Sequence, residues 1–265
     1  MMAELVEPTK TREIQSHGFL WEKELLLNVY GATPEELKEI KYTSKMDLPG
    51  KYNRLGNYDL SVKATGSNAV CMADCLRTYD AVSSEKPIHM VVIQYEQVEQ
   101  MQLQEEQVPL KEEQVPLKAE QVPLKEEKKV PNPIKKIISI TEVDLTNSRE
   151  LLFGTLTRTQ IEDLAKLVKA VPQKRKPTAE EYKNMYAMRD ALQVLSCAIH
   201  LDIKCNSTQS RLQCSFNRFP QFIEKNPTKV IAKSLTNEFR GGLISLCLAS
   251  SRRVFKPKAA KLVLV

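Results

Sequence analysis

The chain has 265 residues, 42% of them hydrophobic, enough to bury one substantial core. Its 39 lysines and arginines against 33 aspartates and glutamates leave a formal charge of +6, which excludes a histone-like polycation but is compatible with a polyanionic partner. Three histidines, and six cysteines without a CxxC pair, exclude a zinc ribbon, and no apolar run approaches the ~20 residues of a bilayer span. The cysteines read as buried free thiols of a reducing compartment, so a soluble intracellular protein without a membrane partner is expected.

Ile14, Trp21, Leu25 and Val29 recur at helical spacing and predict an amphipathic helix over 11–30, ended by Gly31. Pro34 opens a second short helix through Glu39. In "KMDLPGKYNRLGNYDLSVKATGSN" (45–68), Pro49-Gly50 and Gly56-Asn57 are turn formers, so the stretch reads as a hairpin leading into a strand over 59–64. Strand side chains alternate, which puts Leu60 and Val62 on one face and Asp59, Ser61 and Lys63 on the other. A turn at Gly66-Ser67-Asn68 and a second strand over 69–73 follow, and "HMVVIQY" (89–95) is apolar enough for a buried sheet centre.

The motif "EEQVPLK" then runs at 105–111 and 112–118 and returns as "AEQVPLK" at 119–125. A proline in every unit forbids a coiled coil despite the seven-residue period. The Glu, Gln, Lys and Pro content suits an extended, solvated linker, read here as an insertion over 97–129 between two strands of one domain.

Beyond it, 135–145 predicts a strand and "LTRTQIEDLAKLVKAV" a helix capped by Thr157 or Thr159. Thr178 opens a longer helix with Glu180 and Glu181 in its first turn. Two strands surround the polar "NSTQS" turn, a helix starts near Pro220, and a last strand covers 243–249. Strands flanked by helices indicate an α/β domain over 11–250 with a mixed β-sheet, interrupted by the low-complexity repeat loop and followed by a basic tail at 251–265.

Several acidic residues invite a metal reading. Asp47, Asp59 and Asp74 lie at strand or turn ends, and carboxylates from adjacent strand ends about 5 Å apart can share one divalent ion. Magnesium needs only one or two carboxylates with waters and a phosphate, and Lys63 could orient a water or neutralise charge on a phosphate. Glu22 and Glu24 on the first helix offer a further carboxylate, while His17 reads as a surface or capping group. In "KCNSTQSRLQCSFNRF", Lys204 and Arg211 can meet phosphates, and Asn206, Gln209, Arg211 and Gln213 can hydrogen-bond base edges. The plainer reading of both sets is a solvated polar face.

The order "WE" on an early helix, "MD" before a hairpin and then "LSVKATGSNAVCMAD" resembles the PD-(D/E)XK nuclease superfamily, in particular restriction-endonuclease-like proteins of large DNA viruses. The resemblance implies a restriction-endonuclease-like core and a Mg²⁺-dependent endonuclease, of type II restriction character, acting on double-stranded DNA as a homodimer. It assigns Glu22, Asp47 and Lys63 to that family's glutamate, aspartate and lysine. The acidic position two before the lysine is Ser61, so Asp59 or Asp74 must supply the second carboxylate. A catalytically weakened DNA-binding protein on the same scaffold is the alternative.

Overall fold

The computed structural model describes residues 16–40, 46–98, 134–172, 175–206, 209–245 and 247–248. Helix α1 (Ser16–Asn28) buries Trp21, Leu25 and Leu26, and the chain leaves it through Gly31 at φ +72°. That left-handed conformation disfavours any Cβ, and one added there would stand 2.8 Å from Arg54 Cγ. The expected start of the helix, 11–15, lies outside the described residues. Helix α2 (Pro34–Glu39) opens on a capping box between Thr33 and Glu36.

The stretch before the first strand is not the hairpin expected. It makes one antiparallel bridge, Leu48 to Leu60, around a 3-10 turn at Gly50–Tyr52. Strand β1 (Asp59–Thr65) then runs parallel to β3 (Ile88–Val98), which pairs antiparallel with β4 (Ile134–Asp144). The far side of β4 is shared by β7 (Val230–Ser234) and β10 (Cys247–Leu248). The result is mixed α/β, with a mixed sheet flanked by helices. Val98 pairs with Ile134, so the chain of 99–133, outside the described residues, joins two paired strand ends.

Strands β1 and β2 (Val70–Asp74) do not pair with each other as adjacent strands of one hairpin. Thr65 Oγ1 and Ser67 Oγ both donate to Ala69 O, holding a corner that carries the chain out of the first sheet. Strand β2 joins β6 (Gln209–Phe216), which pairs with β5 (Ile199–Asn206) in a second, three-stranded sheet. The short α3 (Cys75–Val82), α4 (Arg149–Phe153) and β7 were not expected from the sequence. The single strand expected at 243–249 is instead β9 (Gly242–Leu243), hairpinned to β8 (Glu238–Phe239), and then β10.

The apolar run of β3 feeds two cores, because its side chains alternate across a sheet covered on both faces. Val91 and Ile93 join Trp21, Leu25, Leu60, Val62 and Ile140 under α1. Met90 and Val92 face the other way, toward α3, α5 (Arg158–Lys169), α6 (Ala179–Gln193) and the second sheet. Helix α5 buries Ile161, Leu164, Ala165 and Val168, a one-face stripe, after a capping box that selects Thr157 as its cap. Helix α7 (Phe219–Lys225) closes the second sheet with Phe219 and Phe222 against Phe216. Cys75 and Cys214 are buried, as expected, but Cys71 and Cys197 are exposed. Among the described residues no helix is long and apolar enough to cross a membrane.

Candidate functional site

Strand β1 is an edge strand, so its outward N–H groups need partners from elsewhere. Asp47 and Leu48 supply them. Leu60 N donates to Leu48 O (2.8 Å), and Val62 N donates to Asp47 Oδ2 (2.6 Å). The same carboxylate oxygen accepts from Ser61 Oγ (3.1 Å) and Lys63 Nζ (3.2 Å). Asp47 therefore caps the sheet edge and gathers the outward face of β1 around one oxygen.

Glu22 approaches this pair from α1. Burial, then the negative charge of Asp47, push its carboxyl up to about 7, and Lys63 only partly offsets them. Glu22, Asp47 and Lys63, from three separate segments, thus lie within electrostatic reach of one another. Glu24 is not among them: it accepts a hydrogen bond from Ser245 N at 2.7 Å.

Asp59 stands apart, although alternation puts it on the same face as Lys63. Its Oδ1 accepts from Gly50 N and its Oδ2 pairs with Lys86 Nζ, both at 2.8 Å. One oxygen holds the turn before β1 and the other meets Lys86, just ahead of β3, and Asp59 lines no part of the cavity described next.

Beside β1 opens a cavity of about 190 Å³ whose wall includes Asp47, Ser61 and Lys63 from one side and Asp74, Arg77 and Arg211 from the other. Asp74 reaches it through a local distortion. The β2–β6 register shifts between Cys71 and Ala73, and Ala73 sits at φ +69°. Such a bulge re-aims the following side chain at the expense of some backbone strain. Asp74 also caps α3, its Oδ1 accepting from Arg77 N at 3.0 Å. Met46, Met72, Val82 and Met90 add an apolar part to the wall of the cavity. Its rim therefore carries Lys63, Arg77 and Arg211 against the carboxylates of Asp47 and Asp74.

Arg211 ties the cavity to the second sheet. Cross-strand register pairs Lys204 with Arg211 and Asn206 with Gln209, while Gln213 lies between Asp202 and Asp74. Alternation places all five expected DNA contacts, Lys204, Asn206, Gln209, Arg211 and Gln213, on one polar face that runs into the rim. Two of them serve the protein itself. Gln213, expected at a base edge, is 5% exposed, and with its amide oxygen turned to Arg211 it accepts from Nη2 (2.5 Å) and Nε (3.0 Å). Asn206 Oδ1 accepts from Gln209 N at 3.0 Å across the turn.

Sequence reasoning missed a buried polar network in the other core. Glu142, fully buried on β4, accepts from His89 Nδ1 and Arg240 Nε, each at 2.8 Å, and Tyr58 stacks on His89 with ring centroids 3.7 Å apart. Burial pushes the Glu142 carboxyl up, but the His89 hydrogen bond and the Arg240 charge outweigh it, so the net shift is downward. A lone glutamate inside the apolar run "IISITEVDL" was the signal available. None of these residues lines the cavity.

Among the described residues no group of three His, Cys, Asp or Glu is placed to hold a metal ion. A cation at this rim would rest on two carboxylates. Compared with protein-family models, with curated proteins and with solved structures, the chain matches none.

Proposed function

We propose that this protein is a Mg²⁺-dependent DNA endonuclease with a restriction-endonuclease-like core, its active site centred on Asp47 and Lys63. The observation that carries the reading is the meeting of Glu22, Asp47 and Lys63 at the edge of β1, beside a cavity rimmed by Asp74, Arg77 and Arg211. Asp74, not Asp59, is the second carboxylate, because Asp59 has both oxygens engaged elsewhere.

The donor set fits magnesium. Asp47 and Asp74 offer hard oxygens, and the hydrogen bonds from Ser61, Val62 and Lys63 fall on only one oxygen of Asp47. When bound, the ion would polarise the phosphate and lower the pKa of a water. Lys63 holds Asp47 in place and presents its ammonium to the scissile phosphate, Arg77 and Arg211 add positive charge for the strand, and Glu22 holds a proton next to Asp47. The polar face carrying Lys204 and Gln209 extends the contact along the nucleic acid. Homodimerisation on double-stranded DNA belongs to this reading through the family resemblance.

A second reading, DNA binding without cleavage, is favoured by Ser61. It occupies the expected acidic position and spends its hydroxyl on Asp47. Supercoiled plasmid incubated with Mg²⁺ separates the two. The nuclease reading expects nicked or linear product, a drop of about 100-fold or more for Lys63→Ala and Asp47→Asn, and no drop for Asp59→Asn in a variant that still folds. Binding by wild type without cleavage, together with cleavage gained by Ser61→Asp, would establish the weakened scaffold instead.

A further inference from the structure

The cavity wall is more apolar than a phosphodiester needs. A metal, a water and a phosphate would use the charged residues and leave the apolar part of the wall, with Met46, Met72 and Met90, without a ligand. Resting on the nucleic-acid reading above, we propose that the cavity receives a single nucleobase, unpaired or turned out of a duplex, with its phosphate held at the rim by Lys63, Arg77 and Arg211.

Size decides against larger occupants. About 190 Å³ is close to the roughly 150 Å³ apolar cavity that holds a benzene, and below the ~300 Å³ at which drug-sized pockets begin. One ring system fits, and a long acyl chain does not. The wall chemistry favours an aromatic ring, since thioether sulfurs make favourable contacts with ring edges and faces. A base also needs an acceptor or donor at its edge. Thr78, in the cavity wall, offers one: its single hydroxyl proton is shared between Met72 O (3.1 Å) and Asp74 O (2.9 Å), and its oxygen keeps acceptor capacity. Finally, the rim sets three cations against two carboxylates, so an anion is held at the mouth while the ring enters.

This geometry has a consequence for substrate form. A base stacked inside a duplex cannot reach a cavity set behind its own phosphate, and enzymes that bury a base take it from a single strand or extrude it. A duplex from which one base is turned out, or a strand with an unpaired base, is therefore the substrate form that the site recognises.

The test is calorimetric titration of the full chain, without divalent metal, with dAMP, dTMP and deoxyribose 5-phosphate. Stacking and burial of the base are expected to make both nucleotides bind about tenfold or more tightly than the base-free sugar phosphate. Ala81→Phe, which fills the cavity wall, should erase the difference, and Arg77→Ala should weaken all three ligands together. Equal affinity for the three, or no binding of any, overturns the base receptacle. Because wild type is compared with itself across ligands, a misfolded variant cannot obscure the answer. Plasmid cleavage is read separately: nucleotide binding without Mg²⁺-dependent cleavage keeps the receptacle and removes the nuclease, and cleavage with equal affinities does the reverse.

Discussion

Asp47 and Glu22 define the chemistry of the β1 edge at the scale of single residues. One oxygen of Asp47 accepts from an N–H, a hydroxyl and an ammonium, while Glu22, buried beside its charge, keeps its proton to about pH 7. The sign of the consequence follows from linkage. Unfolded, Glu22 titrates near 4.5; folded, near 7, so the folded state binds the extra proton between those values. Its stability contribution is intact below pH 4.5 and is lost as pH rises through 7. Glu22→Gln should therefore stabilise the protein at pH 8 by on the order of 2 kcal/mol and change little at pH 4, measured by urea unfolding at both values. A stabilisation of equal size at both pH values would show that ionisation is not its source.

At the scale of elements, the helices were legible because their signals are local. Thr33, Thr157 and Thr178 each accept from the backbone N–H three residues on, and each is met by a Glu or Gln there. Thr157→Ala is expected to cost about 1 kcal/mol, and Thr157→Ser to keep most of it, read from the shift in urea midpoint at unchanged slope. The short α3 escaped notice because Asp74 serves both as the last residue of β2 and as the cap of α3, so strand and helix signals overlap. Strand β7 alternates half-buried and exposed residues and carries little apolar pattern to read.

For the whole molecule, the question is what joins the N-terminal half to the far end of the chain. Glu142 does so from the sheet centre: Arg240, at the tip of the β8–β9 hairpin, reaches it from 98 residues away in sequence, and His89 from 53. Trp21 Nε1 donates to Ser245 O at 2.8 Å across the same face. A fully buried carboxylate that loses one charged partner is left desolvated, so Arg240→Ala should destabilise by about 3 kcal/mol or more. His89→Ala and the double variant complete a mutant cycle, and additive losses would show that the two partners act independently.

The sequence by itself determined the local features: the alternation of β1, the buried apolar run of β3, the cap at Thr178 and the alternation of β5 and β6. Each depends on neighbours within a few residues, where spacing alone settles which side a residue faces. It also offered Asp47, Lys63 and Glu22 among several candidates, which the resemblance narrowed to these three. Only the tertiary structure decided between Asp59 and Asp74. The sequence left both open, with Asp74 favoured by its place at a strand end near Arg77, but Asp59 is spent on Gly50 and Lys86, and a bulge at Ala73 leads Asp74 to the cavity. The same holds for β1 and β2, adjacent in the chain yet placed in different sheets, and for Gln213, polar yet buried. Long-range pairing sets these outcomes, because it depends on which distant surfaces can be buried together, and no local pattern carries that information.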